Sequence, residues 1–418
     1  MRFSRIGSQA ALAFVAFLFL SLIGAARAEN DEVQLRKKAL ALNDITGQGP
    51  MRGQILALVE DPDGSKKLLA VAVKLAKDKE QPFNYNAAYI FGRTAQEFGD
   101  VDNGELFYRI CVDQATKLKS GEKLSLSFGG LIDMYFAAKK YDKTELICKE
   151  FLELDGDDTI KRLKPMVMRR QIQALARQDK IEEATKLVEN LIKLNPKNWL
   201  TLELRGWVQR EAGDYAAAAK TYEEVLDRVG KDKELDKEEK TEFTNEYRYL
   251  LSGVYVDGNQ IDKAAEQLQT LLKEDENNPA YNNDLGYIWA DHDMNLEESE
   301  KLIRKAIEEE RKLQKKVQPD IKPEDIKDNP SYLDSLGWVL FKQKKFKDAK
   351  EYLIQATKGG KEGEHLEIYD HLADAHIALG EKTEAVAAWK KALEFAGTTK
   401  RDQAKKIEVE KKLKAANP

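Results

Sequence analysis

Residues 206–225 read GWVQREAGDYAAAAKTYEEV, with Gly206 and Ala218 twelve apart across the turn signal Gly213-Asp214-Tyr215. Apolar residues recur at helical spacing on both sides of that signal, and Tyr222 and Val225 continue the inner face beyond it. The stretch predicts two antiparallel helices that cross at Gly206 and Ala218. Both places need a small residue, because a side chain larger than a methyl or hydroxyl group would hold the backbones apart. The same offset of twelve returns in Ile172 to Ala184, Ser252 to Ala264, Gly337 to Ala349 and Ala373 to Ala385. Gly286 to Ser299 is thirteen, and large apolar residues such as Leu285, Leu336 and Leu372 flank the small ones.

Self-similarity of this kind marks one supersecondary unit used repeatedly. Ala184 and Ala218 are 34 residues apart, and Pro165, Pro196, Pro279 and Pro330 fall where one pair would end and the next begin. Proline suits a first helical turn, whose N–H has no intrahelical acceptor. With the runs Asn283-Asp284-Leu285-Gly286-Tyr287, Ser335-Leu336-Gly337-Trp338 and Tyr369-Asp370-His371-Leu372, these features resemble the tetratricopeptide repeat, particularly as found in exported bacterial proteins. The resemblance spans Lys164 to Ala396. It implies an all-α fold, a right-handed superhelical solenoid of antiparallel helix pairs. Upstream it thins to two degenerate units, around Tyr89-Ile90-Phe91-Gly92 and around Leu131-Ile132 with Tyr141 and Thr144.

Two breaks in the period mark insertions. Ala218 to Ala264 is 46 residues, with the excess near 230–243 in the mixed-charge run that begins Lys231-Asp232-Lys233-Glu234. Ser299 to Ala349 is 50, with the excess at 308–328, where Glu308-Glu309-Glu310 prolongs a helix that Pro319 and Pro323 then stop. Insertions in a solenoid collect at its edges. The segment Asp31 to Lys79 is helical by pattern, with turns at Gly47-Gln48-Gly49-Pro50 and Asp61-Pro62-Asp63-Gly64, and has no place in the repeat. The reading divides the chain into a leader (1–28), an N-terminal helical region with degenerate repeats (29–163), the repeat array (164–396) and a Lys-rich C-terminal helix (397–418). Ile407 and Leu413 suggest that this last helix covers the open face of the final pair.

The leader combines Arg2 and Arg5 with an apolar run from Ala10 to Ile23 and the small residues Ala26 and Ala28. This is the pattern of a cleaved secretory signal, shorter than the roughly 20 residues of a membrane span. An uncleaved anchor is the alternative, and no later segment is expected to span a membrane. Export places the protein across the inner membrane, in the periplasm. Cys111 and Cys148 would then either form one disulfide or remain as buried thiols, the reading their helical apolar surroundings favour.

Composition narrows the function. With 34% charged and 42% hydrophobic residues the chain is too apolar for disorder and too charged for a multi-span membrane protein. A net charge of −5 supplies no counterion-release drive toward nucleic acid. No phosphate-binding, dinucleotide-binding or nucleophile-elbow motif appears, so no cofactor and no catalysis are expected. Of the four histidines, His292, His365, His371 and His376, the last two stand five apart, off the three- or four-residue step of one-face ligands. No metal is expected, and His371 is read as packing or hydrogen bonding within the repeat.

The resemblance implies that function lies on the concave wall made by the first helix of each pair. Carried over residue by residue, it points to Glu203, Trp207, Arg210 and Glu211 in one unit, Asn283, Tyr287 and Asp291 in the next, Asp334, Trp338 and Phe341 in a third, and Asp370 and Asp374 in the last. Arg169, Gln173 and Arg177 are their upstream counterparts. The sum is an aromatic floor with an acidic C-terminal half. Trp338 and Tyr287 either anchor a ligand or pack between neighbouring first helices. The family variant that grips a carboxylate uses Lys and Asn here, whereas this chain has Asp334 and Asp370, so the acidic wall favours a protein or peptide partner carrying Lys or Arg. The expectation is a non-enzymatic scaffold in the cell envelope. The alternative is a polysaccharide-associated accessory protein or hydrolase reading sugars in the acidic groove.

Overall fold

The computed structural model describes residues 31–78, 83–397 and 399–416, so the expected leader lies outside the described residues. Among the described residues there are helices and no strands. The chain divides into two compact units, the first ending at Lys180 and the second beginning at Ile181.

The first unit opens with α1 (31–41), α2 (Gln48–Glu60) and α3 (Pro62–Lys77). Three of the four residues of each expected turn are helical here. Gly47, at φ 86°, precedes α2, while Gln48 to Pro50 form its first turn. Asp61 caps α3 by accepting from the Gly64 N–H, and Pro62 occupies the first position, where no donor is needed. The hairpins α4 (Tyr85–Glu97) with α5 (Val101–Lys117) and α6 (Gly121–Ala137) with α7 (Tyr141–Glu153) follow, and α8 (Asp158–Arg177) ends the unit. The core of this unit gathers Phe83, Phe91 and Phe107 as touching rings.

The second unit begins with α9 (Ile181–Leu194) and continues through the hairpins α10 (Trp199–Glu211) with α11 (Tyr215–Lys231) and α12 (Lys237–Asp257) with α13 (Ile261–Glu274). After them come α14 (Pro279–Asp291) with α15 (Leu296–Val317), α16 (Pro330–Lys342) with α17 (Phe346–Ala356) and α18 (Leu366–Ala378) with α19 (Lys382–Glu394), and α20 (Lys400–Ala416) closes the chain.

The small-residue rule is visible in what a methyl group would meet. A Cβ on Gly286 would lie 2.8 Å from the Ser299 carbonyl, and one on Gly337 would lie 3.2 Å from the Ala349 carbonyl. On Gly206 it would touch the Tyr222 ring at 3.0 Å. The partners Ala218, Ala264, Ser299, Ala349 and Ala385 are fully buried. Seven residues beyond each first-helix position stands a residue with positive φ: Gly213, Asn259, Asp293, Lys344 and Gly380. The next N–H then reaches back to the first helix, as in Asp214 to Gln209, Lys345 to Leu340 and Glu381 to His376. This left-handed turn is the usual way to satisfy the last carbonyls of a helix and reverse the chain.

The upstream region obeys the same geometry more closely than its sequence suggests. Gly92 and Gly104 are twelve apart, as are Ile132 and Thr144, with left-handed Gly99 and Lys139 in the corresponding turns. A Cβ on Gly92 would meet the Tyr108 ring at 3.2 Å, the contact that Gly206 makes with Tyr222.

Of the four prolines, three fall between helix pairs as expected and one does not. Pro279 and Pro330 do open their helices, behind the caps Asn278 and Asn329. Pro165 instead lies inside α8, which starts seven residues earlier because Asp157 accepts from the Thr159 and Ile160 N–H groups. Pro196 precedes α10 in the loop, where Asn198 is the cap. The extra residues near 230–243 lengthen α11 and α12, the latter with an Asp236/Glu239 capping box, and those near 308–328 lengthen α15. Cys111 and Cys148 are separate buried thiols, and burial pushes Cys148 up to about 12. No described helix is long and apolar enough to cross a membrane.

Candidate interaction groove

Within the second unit, α14 touches α16 and α16 touches α18, so successive first helices lie side by side. Tyr287 on α14 even donates its hydroxyl proton to Glu367 on α18, two pairs away, at 2.8 Å. A row that lets helices two pairs apart share a hydrogen bond is curved, with the first helices inside.

The inner face is built from residues three and four apart on each first helix. On α16, Asp334 accepts from His371 Nδ1 of α18 at 3.0 Å, and Trp338 lies flat on the His371 ring at 4.0 Å between centroids. Trp338 also stacks on Phe341 at 4.9 Å and donates Nε1–H to Asp291 of α14 at 2.9 Å. It is only 9% exposed, so packing between first helices is its role. Burial opposes a charge on His371, but Asp334 and then Glu367 and Asp370 outweigh it and raise the imidazole pKa. Burial would likewise raise Glu367, yet the facing His371 and Arg401 hold it below the usual carboxylate range.

Further along α18, Asp370 is fully buried and receives the Trp389 Nε1–H at 2.9 Å. Two cations from α20 complete it: Lys405 and Lys412, each with Nζ at 2.9 Å, and Lys412 also reaches Asp374 at 2.7 Å. Burial raises the Asp370 pKa, but the two ammonium groups more than reverse this. For Asp374, burial and the neighbouring Asp370 prevail and the pKa is raised.

The structure thus gathers Tyr287, Asp291, Asp334, Trp338, Phe341, Asp370 and Asp374 around His371. Asn283, next to them, lines a small cleft with Tyr287, Asp334 and Glu367. Glu203 and Trp207 stand on α10, buried and half-buried, and Arg210 ties α10 to α12 through a 2.6 Å bond from Nε to Asp257. Arg169, Gln173 and Arg177 belong to α8 in the first unit.

The acidic wall is not bare, and this is what the sequence reading missed. Glu367, Asp257 and the cations of α20 belong to the site. Arg401, Lys405 and Lys412, at steps of four and seven, share one side of a helix, and that spacing was the available signal. The C-terminal half of α20 does cover the final pair: Val409 is fully buried, in one cluster with Trp389, Leu413 and Ala416. Among the described residues no group of three or more His, Cys, Asp or Glu is placed to hold a metal ion.

The family model of the tetratricopeptide repeat matches residues 169–233, 249–312 and 335–399. A TPR repeat-containing protein of Pseudomonas aeruginosa is 31% identical over 100 residues, which cover 24% of this chain and 14% of that relative's length. Among solved structures, a tetratricopeptide repeat protein from Parabacteroides merdae is similar at 14% identity and a TM-score of 0.47, over 72% of this chain and 98% of the other. The Cut9–Hcn1 hetero-tetramer of the APC/C is similar at 14% identity and a TM-score of 0.40, over 88% and 72%. The three matched stretches, each built on the small-residue crossing and the left-handed turn, are tetratricopeptide repeats.

Proposed function

We propose that this protein is an exported scaffold that holds a protein partner in the cell envelope through the inner face of its second unit, without chemistry of its own. The observation that carries the reading is the seating of α20. A basic helix lies on the wall, its lysines on Asp370 and Asp374, so the groove already displays the chemistry it accepts. The leader pattern at 1–28 supports export, and the partner's Lys or Arg residues would meet the same carboxylates.

The reading as a sugar-binding accessory protein or hydrolase is less well supported. Asp334 and Asp370, the carboxylates it would use, are buried and committed to His371, Trp389 and two lysines. Glycan binding or turnover that disappears in Asp334→Asn would favour it. The proposal is tested by a photo-crosslinking residue at Trp207 or Phe341 in intact cells. A protein adduct in the periplasmic fraction is expected; absence of any adduct, or adducts confined to the cytoplasm, would sink it.

A further inference from the structure

α20 carries seven basic and three acidic residues, and its charges are not scattered. Arg401, Lys405 and Lys412 fall within about 40° of one another at 3.6 residues per turn. That stripe faces the wall along its length. The Arg401 guanidinium stands 3.8 Å from Glu367 and 4.0 Å from Asp257, and Lys405 and Lys412 hold Asp370. At the N-terminal end, Lys400 Nζ donates to the Ala212 carbonyl at 3.1 Å, beside the C-terminus of α10. The apolar hold is slight by comparison: Val409 is the single buried residue of this helix, and Ile407 is exposed. A helix held mostly by ion pairs can be replaced only by another that brings the same charges, because the fully buried Asp370 must keep a cation but any equally placed cation meets that need.

α20 also leaves one demand of the wall unmet. The Asn283 amide donates Nδ2–H to Asp284 at 3.1 Å, which leaves Oδ1 to find a partner of its own, and the residue lines the cleft. That oxygen is buried without a hydrogen-bond donor, in a side chain 6% exposed. An unanswered buried acceptor is costly. The cleft, of about 160 Å³, is further lined by Tyr287, Ser331, Asp334, Ser335 and Glu367. Acceptors and carboxylates in so small a space suit the head of a Lys or Arg side chain.

Resting on the scaffold reading above, we infer that the partner segment is a basic amphipathic helix of another protein, which displaces α20 from Glu367, Asp370 and Asp374 and places one further cation in the Asn283 cleft. α20 is then a tethered stand-in that keeps the buried carboxylates paired until the partner arrives. Its short link to α19 gives it an effective concentration in the millimolar range, so a free helix of equal strength competes poorly, and a partner must add contacts such as the one to Asn283.

The test uses the full chain and a labelled synthetic peptide of residues 399–416. Binding is measured by fluorescence anisotropy to the wild type and to Lys405→Glu plus Lys412→Glu, whose own α20 is repelled from the wall. The inference expects at least tenfold tighter binding to the variant, loss of that gain when Arg401, Lys405 and Lys412 of the peptide are replaced by Ala, and faster hydrogen exchange across 400–416 of the wild type when peptide is in excess. Arg401→Ala with Lys400→Ala, at partly exposed sites, serves as a milder second variant should the first unfold, and it too must bind more tightly. Equal binding to wild type and variants, an uncharged peptide binding as well, or exchange of α20 between copies into a dimer would overturn it. Crosslinks to a partner in cells combined with failure of the peptide sink this inference alone, whereas absence of crosslinks sinks the scaffold reading.

Discussion

At the scale of the residue, the same substitution is expected to act with opposite signs at two glycines. A Cβ at Gly286 would stand 2.8 Å from the Ser299 carbonyl and 2.7 Å from Ile303 Cγ1, and neither atom can withdraw without parting α14 from α15. Gly286→Ala should cost about 2 kcal/mol, the range of an overpacked core. Gly129, inside α6, has nothing within 4 Å of such a Cβ, so Gly129→Ala should gain about 0.5–1 kcal/mol from the helix backbone. Urea titrations of both variants check the contrast. The His371–Asp334 pair sets a pH dependence. Because the folded imidazole pKa is raised, its stabilisation is fully present below the unfolded value near 6.5 and lost as pH rises through the folded value. Asp334→Asn should therefore lower stability by about 3 kcal/mol near pH 6, as breaking a buried pair does, and the gap to wild type should narrow at alkaline pH. A gap that widened with pH would show that the pair is not ionised as described.

At the scale of the element, the hairpin turn is the recurring device. Lys139 and Lys344 occupy left-handed positions where other pairs have Gly99, Gly213 or Gly380. A side chain there costs about 1 kcal/mol that glycine avoids. Lys344→Gly and Lys139→Gly should each raise the melting temperature, and a lowered one would mean that these lysines make compensating contacts. The turn position was legible only in part. Gly213 announces itself, whereas Lys139 and Lys344 are ordinary residues forced into that conformation by the crossing of the helices they join. Pro165 teaches the converse. Proline was read as a helix start, but the Asp157 cap starts α8 earlier, and the proline is carried inside.

At the scale of the whole molecule, the two units have separate reporters. All five tryptophans, Trp199, Trp207, Trp289, Trp338 and Trp389, lie in the second unit, and both cysteines in the first. In a denaturant titration of Gly286→Ala, tryptophan fluorescence should change at lower denaturant than in the wild type, while exposure of Cys111 and Cys148 to a thiol reagent should keep its midpoint. A joint shift of both signals would show one cooperative block. Cys148 should react only on unfolding, since burial holds its thiol protonated.

The helix pairs, their crossing points and most of the inner face were present in the sequence, because each depends on residues within a dozen or so positions and on the fixed geometry of a helix. Gly206 with Ala218 can be placed from spacing alone, whereas Asp334 and Trp338 were placed on the inner face by the resemblance to the tetratricopeptide repeat. The sequence likewise showed an acidic wall and a basic final helix as separate facts. Only the tertiary structure decided that they meet: the bond from Tyr287 to Glu367 spans 80 residues and that from Lys412 to Asp370 spans 42. Charge complementarity has no period, and which cation settles on which carboxylate depends on how far the row of helices curves, a sum of small rotations that no single stretch of sequence contains.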